Sequence, residues 1–179
     1  VVVATGGRPV RTSEYLYGQH PAVLTQRDLE ERPTTTDLHS VVMIQCAGSR
    51  DEERPYCSRI CCTQAVKNAL RLEAANPKAR VYLLYRDVRT FAFREEYYRA
   101  AREAGVVFLR YEPPAKPRVT ARGAKLDVTL REPVTRQELT LEADAVVLSV
   151  GIEAEQEEGL ARQLGVSVDR WGFFVGGHP

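Results

Sequence analysis

Between Ser40 and Tyr111 the sequence alternates between two apolar periods in an order that few folds can accommodate. The run Val41–Ile44 has the β-branched, continuous apolar character of a buried strand. From Cys57 or Ser58 to Ala75, the residues Ile60, Ala65, Val66, Ala69, Leu70 and Leu72 fall near helical spacing, and Asn76-Pro77 stops the run. Arg80–Tyr85 reads as a second strand, Phe93–Ala104 as a second helix ended by Gly105, and Val106–Tyr111 as a third strand. A β-α-β-α-β order implies parallel strands joined by right-handed crossovers, which is half of a doubly wound sheet.

The proline-rich stretch Glu112–Pro117 ends that pattern. Beyond it the period falls to two, with Val119, Leu126, Val128 and Leu130, then Leu139, Leu141, Ala143 and Val146–Leu148, as expected of an antiparallel hairpin or meander. Ahead of the alternation, Val1–Ala4 is a short β-branched run and Thr5-Gly6-Gly7-Arg8-Pro9 is turn chemistry. Residues 10–36 show little periodicity, apart from a short helix near Thr25–Glu31 capped by Thr25 and a linker-like Arg32–Thr36. Ser149–Ile152 closes the last strand, and Glu157–Leu164 has the pattern of a short helix. The chain opens on Val1 without an initiator Met and stops at His178-Pro179 without a closing element, as a piece of a longer polypeptide would.

Composition excludes several classes. With 25 basic and 24 acidic side chains the net charge is +1, which gives no support for nucleic-acid binding. No apolar run approaches the roughly 20 residues needed to span a bilayer, and no signal peptide opens the chain, so a soluble cytoplasmic protein is expected. The 4 cysteines lie together between Cys46 and Cys62, unlike those of a secreted disulfide scaffold.

Those cysteines occupy the place where a dinucleotide-binding fold carries its glycine-rich phosphate loop. The segment has one glycine, Gly48, and a long excursion through Arg54, Pro55 and Tyr56 that would obstruct close backbone approach to a pyrophosphate. Cys46, Cys57, Cys61 and Cys62 are spaced C-x10-C-x3-C-C. If the helix begins at Cys57, Cys57 and Cys61 share a face and Cys62 lies about 100° further round. The helix N-terminus with Arg50, Arg54 and Arg59 would favour thiolates. Such a set suits a [4Fe-4S] cluster, a zinc ion, a thiol/disulfide redox pair, or four inert buried thiols. Structural zinc usually uses two short knuckles, which this spacing lacks, and adjacent ligating cysteines fit a larger cubane better than one ion.

Other motifs point the same way with less force. Ala4-Thr5-Gly6-Gly7-x-Pro9 resembles the second fingerprint of flavoproteins with two dinucleotide domains, and Ala143–Gly151 resembles the strand by which the chain returns. The expected architecture is therefore α/β: a Rossmann-like βαβαβ domain of the NAD(P)-binding type with an antiparallel β-meander, flanked by pieces of a split FAD-binding domain. Residues 1–36 would be the first piece and linker, 37–142 the inserted domain with the cysteines, and 143–179 the return, placing Thr5, Gly6, Gly7 and Gly151 beside FAD. Arg86-Asp87-Val88-Arg89 reads either as a site for an adenosine 2′-phosphate or as a solvated loop. Lys67 is either a solvated cation or, if its helix faces a flavin, a donor to it. His20, His39 and His178 make no ligand spacing, and Trp171, Phe173 and Phe174 read as packing.

Taken with Val41–Arg50, Tyr56–Ala65, Tyr85–Phe91, Glu95–Tyr98, Arg110–Pro113, Gly172–Phe174 and His178-Pro179, these features closely resemble HdrA of heterodisulfide reductase. That resemblance implies an iron–sulfur flavoprotein oxidoreductase with a thioredoxin-reductase-like core. It implies FAD, and a [4Fe-4S] cluster on Cys46, Cys57, Cys61 and Cys62 where a thioredoxin reductase would bind NADPH. It also implies partners: other heterodisulfide-reductase-type subunits and an electron-input or ferredoxin partner. Val175-Gly176-Gly177 departs from the more polar residues the family carries before His-Pro, and the first G-x-G-x-x-G of an FAD domain is absent from these 179 residues. Two other readings stay open: a pyridine-nucleotide disulfide oxidoreductase with a redox-active cysteine pair, and a zinc-stabilised docking domain without catalysis.

Overall fold

A computed structural model describes residues 2–155 and 158–176; Val1, Glu157, Gly177, His178 and Pro179, which entered the expectations above, lie outside the described residues. The core is a five-stranded sheet whose strands are all parallel, in the order β2-β9-β3-β4-β5. Its members are β2 (Val23–Thr25), β3 (Ser40–Ala47), β4 (Arg80–Tyr85), β5 (Val107–Arg110) and β9 (Ala145–Val150). Helices α1 (Gln26–Glu31), α2 (Cys61–Ala75) and α3 (Glu95–Glu103) supply the crossovers. A three-stranded antiparallel meander covers the other face: β6 (Arg118–Arg122), β7 (Lys125–Arg131) and β8 (Glu138–Ala143).

The continuous apolar run of β3 follows from this sandwiching. Val41 and Met43 pack with Leu29, Val66, Leu72 and Leu83 on the helix side. Val42 and Ile44 pack with Leu126, Val128, Leu130 and Tyr111 on the meander side. With both faces covered, alternation has no role, and all four residues are fully buried. In β7, by contrast, one face meets water, and Leu126, Val128 and Leu130 alternate with more exposed residues.

The βαβαβ order and the capping of α1 match the sequence reading. Asp28 N–H donates to Thr25 Oγ1 at 3.1 Å, and Thr25 N–H donates to Asp28 Oδ2 at 2.8 Å, forming a capping box. Four expectations change. Helix α2 begins at Cys61, because Arg59 takes a left-handed φ of 61° that no helical turn tolerates. The helix expected from Phe93 is a short 3-10 turn at Ala92–Arg94 leading into α3. Residues 2–4 form no strand; instead Gly7–Pro9 is β1, antiparallel to β10 (Ile152–Ala154). Strand β9 does not extend the meander but lies between β2 and β3, so strands from residues 1–36 and 143–179 share one sheet with β3.

The switch from meander to parallel sheet turns on Asp144. Its carboxylate accepts the backbone N–H of His39 and of Ser40, each at 2.9 Å, and its own N–H donates to Ser40 O at 2.8 Å. Helix α4 (Glu158–Leu164) follows β10. Among the described residues no helix is long and apolar enough to cross a membrane.

Candidate functional site

The site sits outside the carboxyl end of the parallel sheet, where open α/β folds place their ligands. Cys46 is the first departure from regular strand. Its φ is 63°, and the pairing of β3 with β9 slips between Ile44 and Ala47. A left-handed cysteine inside a strand costs roughly 1–2 kcal/mol, and it re-aims the side chain as a bulge does. Gly48 (φ 59°) and Arg50 (φ 57°) continue the left-handed conformation, and Gly48 N–H donates to Glu14 Oε2 at 2.8 Å.

The other three thiols come from the far side of this loop. Cys57 Sγ accepts Arg59 N–H at 3.4 Å, Cys61 Sγ donates to Val150 O at 3.4 Å, and Cys62 Sγ lies 3.9 Å from Asp87 O. All four are free thiols. Burial pushes Cys61 up to about 12, with Cys62, Cys46 and Cys57 adding to the effect. Burial likewise raises Cys46, against the pull of Arg50 and Arg86, and raises Cys62, with Cys46 and Cys57 contributing. Cys57 stands outside α2, so it and Cys61 do not share a helical face.

Basic residues divide sharply. The Arg50 guanidinium points inward, with its Nη1 3.9 Å from Cys46 Sγ and both terminal nitrogens on the Asp87 carboxylate. Asp87 also accepts from Arg89 at 3.0 and 3.1 Å, while Arg86 Nη1 donates to the Arg50 carbonyl at 2.7 Å. Burial alone would raise the Asp87 carboxyl, but Arg50 and Arg89 hold it below the usual carboxylate range. Arg54 instead pairs with Glu53 and approaches Glu153. Residues 86–89 are half-buried, and Arg86 and Asp87 both bond to Arg50 of the cysteine loop. The sequence singled out residues 86–89 for their arginines; the pairing of Asp87 with Arg50 is a relation that only the fold creates.

The glycines expected beside FAD have tight surroundings of their own. A Cβ on Gly7 would lie 2.7 Å from Ile152 Cγ2 and 2.8 Å from Glu153 O, so glycine permits the β1–β10 pairing. A Cβ on Gly151 would lie 2.8 Å from Ser49 Cβ and 3.0 Å from Gly48 O, so Gly151 seats directly against the cysteine loop. Gly6 (φ 71°) has open space around it, and Thr5 is half-buried. A cleft of about 450 Å³ opens nearby, lined among others by Pro9, Val10, Gln26, Ile60, Gln64 and Val150. Lys67 pairs with Glu30 at 2.7 Å, and Gln64 and Asn68 donate to the same carboxylate oxygen. Tyr56 stacks edge-on with Trp171 and Phe173, which confirms packing for those two.

As arranged, no three His, Cys, Asp or Glu side chains among the described residues are gathered so as to hold a metal ion. The donor chemistry nevertheless fits an all-thiolate group larger than one ion. The donor set is four free thiols, one of which, Cys46, faces the Arg50 guanidinium, and the buried Arg86 Nε has no hydrogen-bond acceptor among the described groups. Thr63 Oγ1, next in sequence to Cys62, and the Gln45 amide, next to Cys46, are buried and also lack partners there.

No family model matches the chain. Curated relatives do. HdrA of the H(2)/formate:CoB-CoM heterodisulfide,ferredoxin reductase of Methanococcus maripaludis is 36% identical over 201 residues, covering 100% of this chain and 30% of the relative. The corresponding iron-sulfur protein of the CoB--CoM heterodisulfide reductase of Methanocaldococcus jannaschii is 38% identical over 180 residues, covering 98% of this chain and 24% of the relative. The chain is homologous to a segment of HdrA. It spans 30% or less of the length of these HdrA relatives. The α/β fold agrees with the expected one and has solved counterparts. Thioredoxin reductase of T. acidophilum superposes with a TM-score of 0.59 at 15% identity, over 94% of this chain and 49% of that one. The HOCl-induced flavoprotein disulfide reductase RclA of Escherichia coli gives 0.56 at 13% identity, over 96% and 34%.

Proposed function

We propose that this chain is the electron-transfer segment of a heterodisulfide-reductase-type iron–sulfur flavoprotein, in which Cys46, Cys57, Cys61 and Cys62 bind a [4Fe-4S] cluster. What supports this reading is that four free thiols occupy the loop and helix start that follow β3, where a phosphate loop would stand, in a chain homologous to a segment of HdrA. FAD would lie on the Thr5, Gly6, Gly7 and Gly151 side. When bound, the cluster supplies one-electron exchange with that flavin.

The chain's own residues do the rest. The left-handed Cys46 interrupts β3 at its carboxyl end, and the free Cys61 thiol donates to Val150 O, which puts the sulfur that would bind the cluster beside the strand leading into Gly151. Tyr111 Oη donates to Gln45 O at 2.7 Å and fixes the strand end that carries Cys46. Buried Val10 and Ala47 back the loop and keep water from that side. Lys67 can act toward a flavin only if its pair with Glu30 opens. Other subunits and a ferredoxin-type or other electron-input partner would complete the path, as the names of the relatives imply for those proteins.

The test is anaerobic reconstitution of the full chain, with iron and acid-labile sulfide analysis and EPR of the reduced protein. Four irons and four sulfides per site, lost together in Cys61→Ser, support the reading. Stoichiometric zinc without sulfide sinks it, as does NADPH-driven two-electron thiol cycling without iron.

A further inference from the structure

The geometry points to Arg50 as a positioning residue that sets the reduction potential of the cysteine-bound group, with Asp87 as the key that holds its charge in place. This rests on the cluster reading above. Of the arginines the sequence places around the cysteines, Arg50 is the one whose guanidinium reaches a thiol, 3.9 Å from Cys46 Sγ. It is also restrained on three sides. Asp87 grips both terminal nitrogens, Arg86 takes its backbone carbonyl at 2.7 Å, and its side chain is only 17% exposed. A left-handed φ of 57° at a non-glycine residue shows that the loop is held against its own preference to put the side chain there. Asp87 O also faces Cys62 at 3.9 Å, so the residue that grips Arg50 lies beside a second thiol as well.

The consequence is electrostatic. Four thiolates with their iron and sulfide core carry net negative charge, and one-electron reduction adds another. A shielded, immobile cation beside one ligand stabilises the reduced form more than the oxidised form, because Coulomb interactions strengthen where water is excluded. Arg50 therefore raises the potential. Arg54, turned toward Glu53 and Glu153, contributes far less.

Redox titration of the reconstituted full chain, followed by the EPR signal that Cys61→Ser removes, tests this. Arg50→Gln is expected to lower the reduced-to-oxidised ratio at fixed potential about tenfold, equivalent to about 59 mV for one electron. Arg50→Lys should keep at least half of the wild-type elevation, Asp87→Asn, which removes a negative charge together with the restraint on Arg50, should shift the midpoint by less than Arg50→Gln, and Arg54→Gln should leave the midpoint in place. An Arg50→Gln protein with wild-type iron content and an unchanged midpoint overturns the assignment. If Arg50→Gln loses iron, retention of iron by Arg50→Lys supports the charge role, and equal loss in both overturns it. Failure of the underlying cluster reading shows separately, as wild-type protein without iron and sulfide.

Discussion

Cys46 is where residue-level preference and site geometry conflict most openly. Its left-handed backbone favours glycine, yet the site needs its sulfur. Cys46→Gly is therefore expected to leave the metal-free fold about 1 kcal/mol more stable than Cys46→Ala, by urea denaturation, while neither variant reconstitutes. Gly151 shows the opposite constraint. Adding a methyl there drives it into Ser49 Cβ at 2.8 Å and Gly48 O at 3.0 Å. Gly151→Ala should cost about 1–3 kcal/mol and lower iron retention, because the neighbour that must move is the cysteine loop itself. An unchanged denaturation midpoint and full iron loading would count against that packing.

At the scale of elements, the carboxylate of Asp144 joins meander to sheet by accepting the N–H groups that open β3. Burial opposes its ionisation, but those N–H groups and Lys125 outweigh burial and hold the carboxyl below the ordinary range. A depressed folded pKa means that this stabilisation is complete above the unfolded value near 3.9 and is lost as pH falls below it. Asp144→Asn should flatten the acid limb of the stability–pH curve, read by circular dichroism; a curve as steep as wild type would remove Asp144 from that role. Tyr111→Phe deletes the hydroxyl that holds Gln45 O, and should lower stability by about 1 kcal/mol.

Across the whole molecule, the carboxyl-terminal segment covers the cysteine loop from outside. Asp169 Oδ1 accepts Trp171 N–H at 2.8 Å and Phe173 N–H at 3.0 Å, and the two rings hold Tyr56, the neighbour of Cys57. Trp171 is the single tryptophan, with the Arg170 guanidinium 4.0 Å from its ring centroid. An iron–sulfur chromophore on the adjacent cysteines should quench its fluorescence on reconstitution and release it on chelation. Loading should also raise the melting temperature, since the ligands come from β3, the loop and α2 together. Emission and melting that ignore loading would place the group elsewhere.

Much of this was legible along the chain. The βαβαβ order followed from runs long enough to show their period, and the thiol cluster from its spacing in a place made for phosphate. Thr25 announced the start of α1 because an N-cap is a local device, and the structure completes it with Asp28. Short or relational features were not legible. Strand β2 has 3 residues, too few for any period, and β9 resembles a meander strand until the fold seats it between β2 and β3. The start of α2 was hidden because a left-handed Arg59 leaves no mark in composition. By itself the sequence determined the layered α/β class and the identity of the four thiols, since both rest on local periodicity and residue chemistry. Only the tertiary structure decided that Arg50, not Arg54, faces a thiol, and that Asp87 holds it, because that choice depends on loops 37 residues apart meeting at one sheet edge.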